Sequence, residues 1–145
     1  MPRRVAKLTL EIITVIVRTL DDIKARGGYR EKPGVWTSSR YLLRNDGVGF
    51  TVTQTAVAAG QTQRMRYDNH VEANLVVAGE GEVTDLATGE AYALEAGSMY
   101  ALDKHDPHEL RAITDMQIVC VFSPALVGQE THDENGSYPL LEDDA

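Results

Sequence analysis

From Val35 onward, short runs rich in β-branched and aromatic residues alternate with glycine turns, and this rhythm limits the fold more than any other feature of the chain. The runs fall at 35–44, 48–55, 61–67, 71–78, 82–86, 90–94, 98–102, 108–112 and 116–122. Asn45-Asp46-Gly47, Ala59-Gly60, Gly79-Glu80-Gly81, Thr88-Gly89 and Ala96-Gly97 punctuate them, each a residue group that supplies turn conformations. Many short strands joined by tight turns specify an all-β chain closed into an antiparallel barrel or jelly roll. Ahead of this region, Ile13–Arg18 reads as a further strand. Thr19 then caps one short N-terminal helix, with Asp22 in the capping-box position and Gly27-Gly28 ending it.

The length of 145 residues favours one domain, and 43% hydrophobic residues suffice for one core. The net charge of −8 and a pI near 4.9 argue against a nucleic-acid partner, which needs a basic stripe. The single cysteine, Cys120, excludes an internal disulfide and fits a reducing, cytoplasmic setting. No apolar run is long enough to span a membrane. Arg3, Arg4 and Lys7 precede an apolar stretch as in a secretory leader, but Glu11 interrupts it and no small-residue cleavage site follows.

Alternate residues of a strand share a face. Trp36, Ser38 and Arg40 form one such set, Thr53 and Thr55 another, then Glu72 with Asn74, and Cys120 with Phe122. If these sets point inward, the barrel holds a polar pocket rather than a filled core. If they point outward, they are the wetted face of an ordinary sheet. Alternation fixes the faces without saying which is inside.

Two blocks about twenty residues apart carry the chemistry. One runs Gly60, Arg66, Asp68, Glu72, Gly79, and the other Gly89, Gly97, Tyr100. Their spacing is that of the cupin metal-binding motifs, in which positions 66, 68 and 100 would usually be histidine. Here only Glu72 survives, and Tyr100 and His108 are the local replacements.

Longer runs point to a narrower family. Gly79-Glu80-Gly81-Glu82, Met99-Tyr100-Ala101-Leu102-Asp103-Lys104-His105-Asp106 with His108, Leu110-Arg111-Ala112, Cys120-Val121-Phe122 and His132-Asp133-Glu134-Asn135-Gly136 closely resemble ectoine synthase. Trp36-Thr37-Ser38 and Gly47-Val48-Gly49-Phe50 do so as well. The resemblance implies a cupin barrel that closes N-γ-acetyl-L-2,4-diaminobutyrate into the cyclic amidine ectoine with loss of water, using ferrous iron in a homodimer. It implies Glu72, Tyr100 and His108 as iron ligands. Substrate contacts fall on Trp36, Ser38, Arg40, Thr53, Thr55, Cys120 and Phe122, and Tyr67, Glu130 and His132 are candidates for acid–base work. Arg40 suits a carboxylate, and Trp36 and Phe122 suit the methylenes. Glu130 and His132 sit on a tail whose closure would exclude water. Taken without the resemblance, Tyr100 reads first as a hydrogen-bonded barrel tyrosine, since tyrosine is an uncommon ligand, Arg40 as a surface ion pair and Cys120 as a small buried hydrophobe.

The resemblance also sets the expected boundaries: a 1–14 extension, a single cupin domain over 15–140 and an acidic tail over 141–145. Departures lie at Arg64-Met65-Arg66-Tyr67-Asp68-Asn69-His70, where the family is usually histidine-rich. They continue at Asn74-Leu75-Val76-Val77-Ala78, where it usually reads Val-Tyr-Cys-Ile-Glu. If Arg64, Arg66, Asp68 and Asn74 face inward they retune the pocket. Three other readings therefore stand beside the cyclase: a cupin acting on a related N-acyl amino acid, an iron oxygenase, and a non-catalytic small-molecule binder.

Overall fold

The computed structural model describes residues 15–128, 130–132 and 137–138. The 1–14 extension and the acidic tail over 141–145 lie outside them. The helix forms where its caps dictate. In α1 (Leu20–Ala25) the Thr19 hydroxyl accepts from the Asp22 N–H at 3.1 Å, and the Asp22 carboxylate accepts from the Thr19 N–H at 2.8 Å. Gly27, at φ 78°, turns the chain out of the helix.

Ten strands follow. They are β1 (Tyr29–Lys32), β2 (Trp36–Leu42), β3 (Thr51–Val57), β4 (Thr62–Met65), β5 (Val71–Ala78), β6 (Gly81–Asp85), β7 (Ala91–Leu94), β8 (Met99–Leu102), β9 (His108–Ala112) and β10 (Met116–Ser123). A six-stranded sheet has the order β1-β2-β3-β10-β5-β8 and a four-stranded sheet the order β4-β9-β6-β7, with every pairing antiparallel. Their inner faces meet in a core of Val57, Met65, Val76, Val83, Leu94, Leu102, Leu110, Met116 and Ile118. The expected all-β barrel is what forms. At Gly81 the two sheets press close together, since a Cβ there would stand 2.5 Å from the Met116 sulfur.

Three elements differ from the sequence expectation. Residues 15–18 of the expected Ile13–Arg18 strand are irregular, and 13–14 lie outside the described residues. Residues 15–18 pair with none of the described strands, and a β-rich segment without a neighbour has no ladder bonds to make. Instead Arg18 grips Asp46 bidentately, at 2.6 and 2.9 Å. Strand β1 was not expected, because its residues Tyr-Arg-Glu-Lys lack an apolar alternation. It forms as an edge strand, where charge is tolerated. Finally, β3 starts at Thr51 rather than Val48, since Gly47 and Gly49 take left-handed φ values of 74° and 89°.

Candidate active site

Register, read across the large sheet, assembles the site. Arg40 on β2 pairs with Thr53 on β3, Thr53 with Cys120 on β10, Cys120 with Asn74 on β5, and Asn74 with Tyr100 on β8. In a neighbouring row Glu72 stands between Leu102 and Phe122, and in another Thr55 stands between Ser38 and Ile118. These inward faces border a cavity of about 360 Å³. Trp36, Ser38, Arg40, Thr53, Thr55, Tyr67, Glu72, Tyr100, Cys120, Phe122, Glu130 and His132 all line it. The reading in which the polar sets face solvent is therefore overturned. His108 is the exception among the expected site residues. It is 1% exposed and lines a smaller adjoining cavity of about 180 Å³, which shares Tyr100 with the larger one.

Of Arg64, Arg66, Asp68 and Asn74, only Asn74 faces inward. Arg64 pairs with Glu109 at 2.8 Å, and Arg66 pairs with Asp68 at 2.8 Å; both arginines are exposed. Such exposed pairs contribute little, and they take the two positions of the cupin histidine motif out of the barrel.

Charge is graded along the large sheet. Arg30 and Lys32 from β1 join Arg40 at one border. Glu72 and Tyr100 lie towards the other, on β5 and β8. Burial raises the Glu72 carboxyl to about 8, against a smaller opposing influence of Asn74. Burial, and then the Glu72 charge, raise both Tyr67 and Tyr100 well above the usual phenol range. Burial lowers His108, while its bond to the Asp106 carbonyl opposes this. That bond, at 3.0 Å, engages Nδ1. As a donor Nδ1 carries the proton, so the buried Nε2 is left with a lone pair and no hydrogen-bond partner. The ring sits edge-on to Tyr100, with centroids 6.4 Å apart. An orphaned imidazole nitrogen, a carboxyl pushed up by burial and a phenol on the next strand form a donor set that fits a borderline-hard divalent metal. Among the described residues no three His, Cys, Asp or Glu gather at one point; the candidate trio includes a tyrosine.

The Glu72 shift has a measurable consequence for the metal-free protein. A carboxyl whose folded pKa is raised favours the folded state below its ordinary pKa and loses that advantage as pH rises towards about 8. Metal-free protein should therefore lose stability between roughly pH 4.5 and 8, by on the order of a few kcal/mol. Glu72→Gln should flatten the profile in denaturant titrations at several pH values. An unchanged slope would mean that Glu72 is not held neutral.

The C-terminal segment straps over the opening. Arg40 donates to the carbonyls of Gly128 and Glu130, both at 3.1 Å, and its Nε has no partner. The Glu130 carboxylate accepts from the Val127 and Gly128 N–H groups at 2.7 and 2.8 Å and stands 4.0 Å from Arg40. His132 Nε2 meets the Tyr67 hydroxyl at 2.7 Å, and its ring stacks on Tyr138 at 4.5 Å. The strap is also pinned outside the cavity, where the Asp68 N–H and the Asn69 amide donate to Ser137 Oγ and the Tyr138 carbonyl, both at 2.9 Å. Cys120, raised by burial to about 12, places its thiol 3.7 Å from the Thr55 hydroxyl and stays protonated. Sequence reasoning missed Arg30, Lys32 and Tyr138 as lining residues. The first two lie on the unforeseen β1, and Tyr138 lies in a tail without periodicity.

This barrel, with its inward polar rows and motif spacing, defines a cupin. An RmlC-like cupin from Shewanella frigidimarina shares the fold, with a TM-score of 0.57 at 20% identity over 67% of this chain and 83% of that one. A family model described as ectoine synthase matches residues 15–142. The L-ectoine synthase of Halalkalibacterium halodurans is 50% identical over 109 residues, 75% of this chain and 84% of the relative. The crystal structure of ectoine synthase from P. lautus superposes with a TM-score of 0.76 at 44% identity, covering 90% of this chain and 94% of that one. The chain belongs to the ectoine synthase family.

Proposed function

We propose that this chain is an ectoine synthase, a hydro-lyase that closes N-γ-acetyl-L-2,4-diaminobutyrate into ectoine with loss of water. The observation that carries the reading is the graded cavity. A basic border suits the substrate carboxylate, and a carboxyl and a phenol lie at the far border, where the acyl group would reach, with the His108 imidazole in the adjoining cavity that shares Tyr100. The residues that would hold a ferrous ion are Glu72, Tyr100 and His108, and a metal there supplies Lewis-acid polarisation of the acyl carbonyl.

The chain's own groups account for the rest. Arg40, through its unpartnered Nε, binds the substrate carboxylate, while Arg30 and Lys32 add positive potential. Trp36 and Phe122 wall the methylenes, and Ser38, Thr53 and Thr55 offer hydroxyls to polar groups. Folding the substrate so that its α-amine meets the carbonyl carbon replaces a flexible-chain search with a near-attack geometry. A C–N bond forms, the amine gives up two protons, and the carbonyl oxygen departs as water. Tyr67 stays protonated at neutral pH and serves as donor to the departing oxygen, with His132 at 2.7 Å restoring its proton. Glu130 is bound up with backbone N–H groups, so its part is to fix the strap and align Arg40.

The same reading makes the protein a cytoplasmic homodimer in compatible-solute synthesis under osmotic stress. The buried thiol of Cys120 suits a reducing compartment, and no described helix is long and apolar enough to cross a membrane. The outer face of the large sheet supports pairing with a second copy. Leu75 stands in register between Met99 and Val119, and Ala73 between Ala101 and Val121. Leu75 and Met99 are 44% and 61% exposed, making an apolar patch apt for an interface. Sedimentation tests the dimer, and conversion of the acetylated diamino acid by ferrous-loaded protein tests the activity.

A further inference from the structure

Among the described residues, two cavity-lining side chains, Arg40 and Asn74, carry a buried nitrogen without a hydrogen bond, and Arg40 Nε lies at the basic border assigned to the substrate carboxylate. Asn74 is 2% exposed, and its Nδ2 is buried with no hydrogen-bond partner. Several neighbouring polar groups are engaged within the protein. Arg40 donates to two carbonyls, Glu130 accepts two N–H groups, and the Cys120 thiol faces Thr55. A buried amide without a partner is a standing cost to the folded chain unless a ligand supplies the acceptor. Its position says which acceptor. Asn74 stands in register between Tyr100 and Cys120, two residues along β5 from Glu72. The substrate carboxylate belongs at the opposite, basic border. The Glu72 carboxylate is near enough to feel the Asn74 amide but makes no hydrogen bond of good geometry with it, and the substrate acceptor that reaches the Glu72–Tyr100 side is the acyl oxygen.

We propose that Asn74 recognises the acyl oxygen of the substrate, its Nδ2 donating to that oxygen as the amine adds to the carbonyl carbon. This rests on the cyclisation reading above. The bond strengthens as negative charge grows on the oxygen and is released when the oxygen leaves as water, so Asn74 favours the transition state over the ground state. An amide at this position also sets the ligand class: an N-acyl group is required, and the free diamino acid gains nothing from it.

The test compares wild type with Asn74→Leu, similar in shape but without a donor, and Asn74→Ser, which keeps a smaller one. In ferrous-loaded protein Asn74→Leu should lower kcat by about a hundredfold, with iron content unchanged and Tm unchanged or raised, and Asn74→Ser should recover part of the loss. In metal-free protein, calorimetry should show Asn74→Leu weakening N-γ-acetyl-2,4-diaminobutyrate by about tenfold and leaving 2,4-diaminobutyrate unaffected. Unchanged kcat, equal weakening of both ligands, or iron lost in parallel with activity would overturn the assignment; the last would make Asn74 a positioning residue for Glu72. If wild type binds the acetylated ligand but does not cyclise it, the cyclisation reading fails, and the difference between the two ligands still decides the role of Asn74.

Discussion

Tyr100→Phe is expected to leave a folded barrel that no longer retains iron and turns over at least about a hundredfold more slowly. Losing a group that merely supports a metal ligand costs 10–100-fold, and Tyr100 is read here as a ligand itself. The substitution removes one oxygen and keeps the ring, which packs edge-on to His108, so Tm should change little. Iron per chain, Tm and turnover measured on one preparation separate the possibilities. Full iron occupancy in Tyr100→Phe would return Tyr100 to the role of a barrel tyrosine and leave the orphaned nitrogen of His108 without an explanation.

Ending the chain after Gly128 should have an effect of similar size by a different route. Leu126, fully buried, remains in place with its N–H bonded to Thr51 Oγ1 at 2.7 Å. The barrel should therefore fold and keep its iron, since Glu72, Tyr100 and His108 all precede the cut. Turnover should fall by about a thousandfold, in the range expected for losing a proton relay, because His132 is gone and the cavity stands open to water. Tm should drop as well. Arg40 loses the Glu130 carbonyl, and Asp68 and Asn69 lose their bonds to Ser137 and Tyr138. Full activity in the truncated protein would refute the strap's part in catalysis and leave Tyr67 as the proton donor on its own.

Much of the site could be read from strand parity, and the reason is physical. Trp36, Ser38 and Arg40, or Cys120 and Phe122, fall on one face whatever the partner strand, because side chains alternate along any strand. What parity leaves open is the partner. That Arg40, Thr53, Cys120, Asn74 and Tyr100 form a single row depends on the order β2-β3-β10-β5-β8, which sets Thr53 beside Cys120 and Cys120 beside Asn74 although they are distant in the chain. The charged strand β1 escaped notice because its stability comes from pairing with β2 rather than from an apolar pattern. Glu130 shows the same limit at the level of chemistry. The two backbone N–H groups that donate to its carboxylate, from Val127 and Gly128, cannot be read from the sequence. Arg66 and Asp68, at motif positions, satisfy each other outside the barrel, which the motif spacing alone does not reveal.

Cyclisation of an N-acetylated diamino acid in this cavity can be observed directly. Ferrous-loaded protein should be incubated without oxygen with N-γ-acetyl-L-2,4-diaminobutyrate and followed by proton NMR. The expected result is catalytic conversion to ectoine, with loss of the acetamide methyl signal, appearance of the amidine methyl signal and no free acetate. Release of acetate with 2,4-diaminobutyrate would mean hydrolysis instead. Unchanged substrate in the presence of retained iron would contradict the assignment outright.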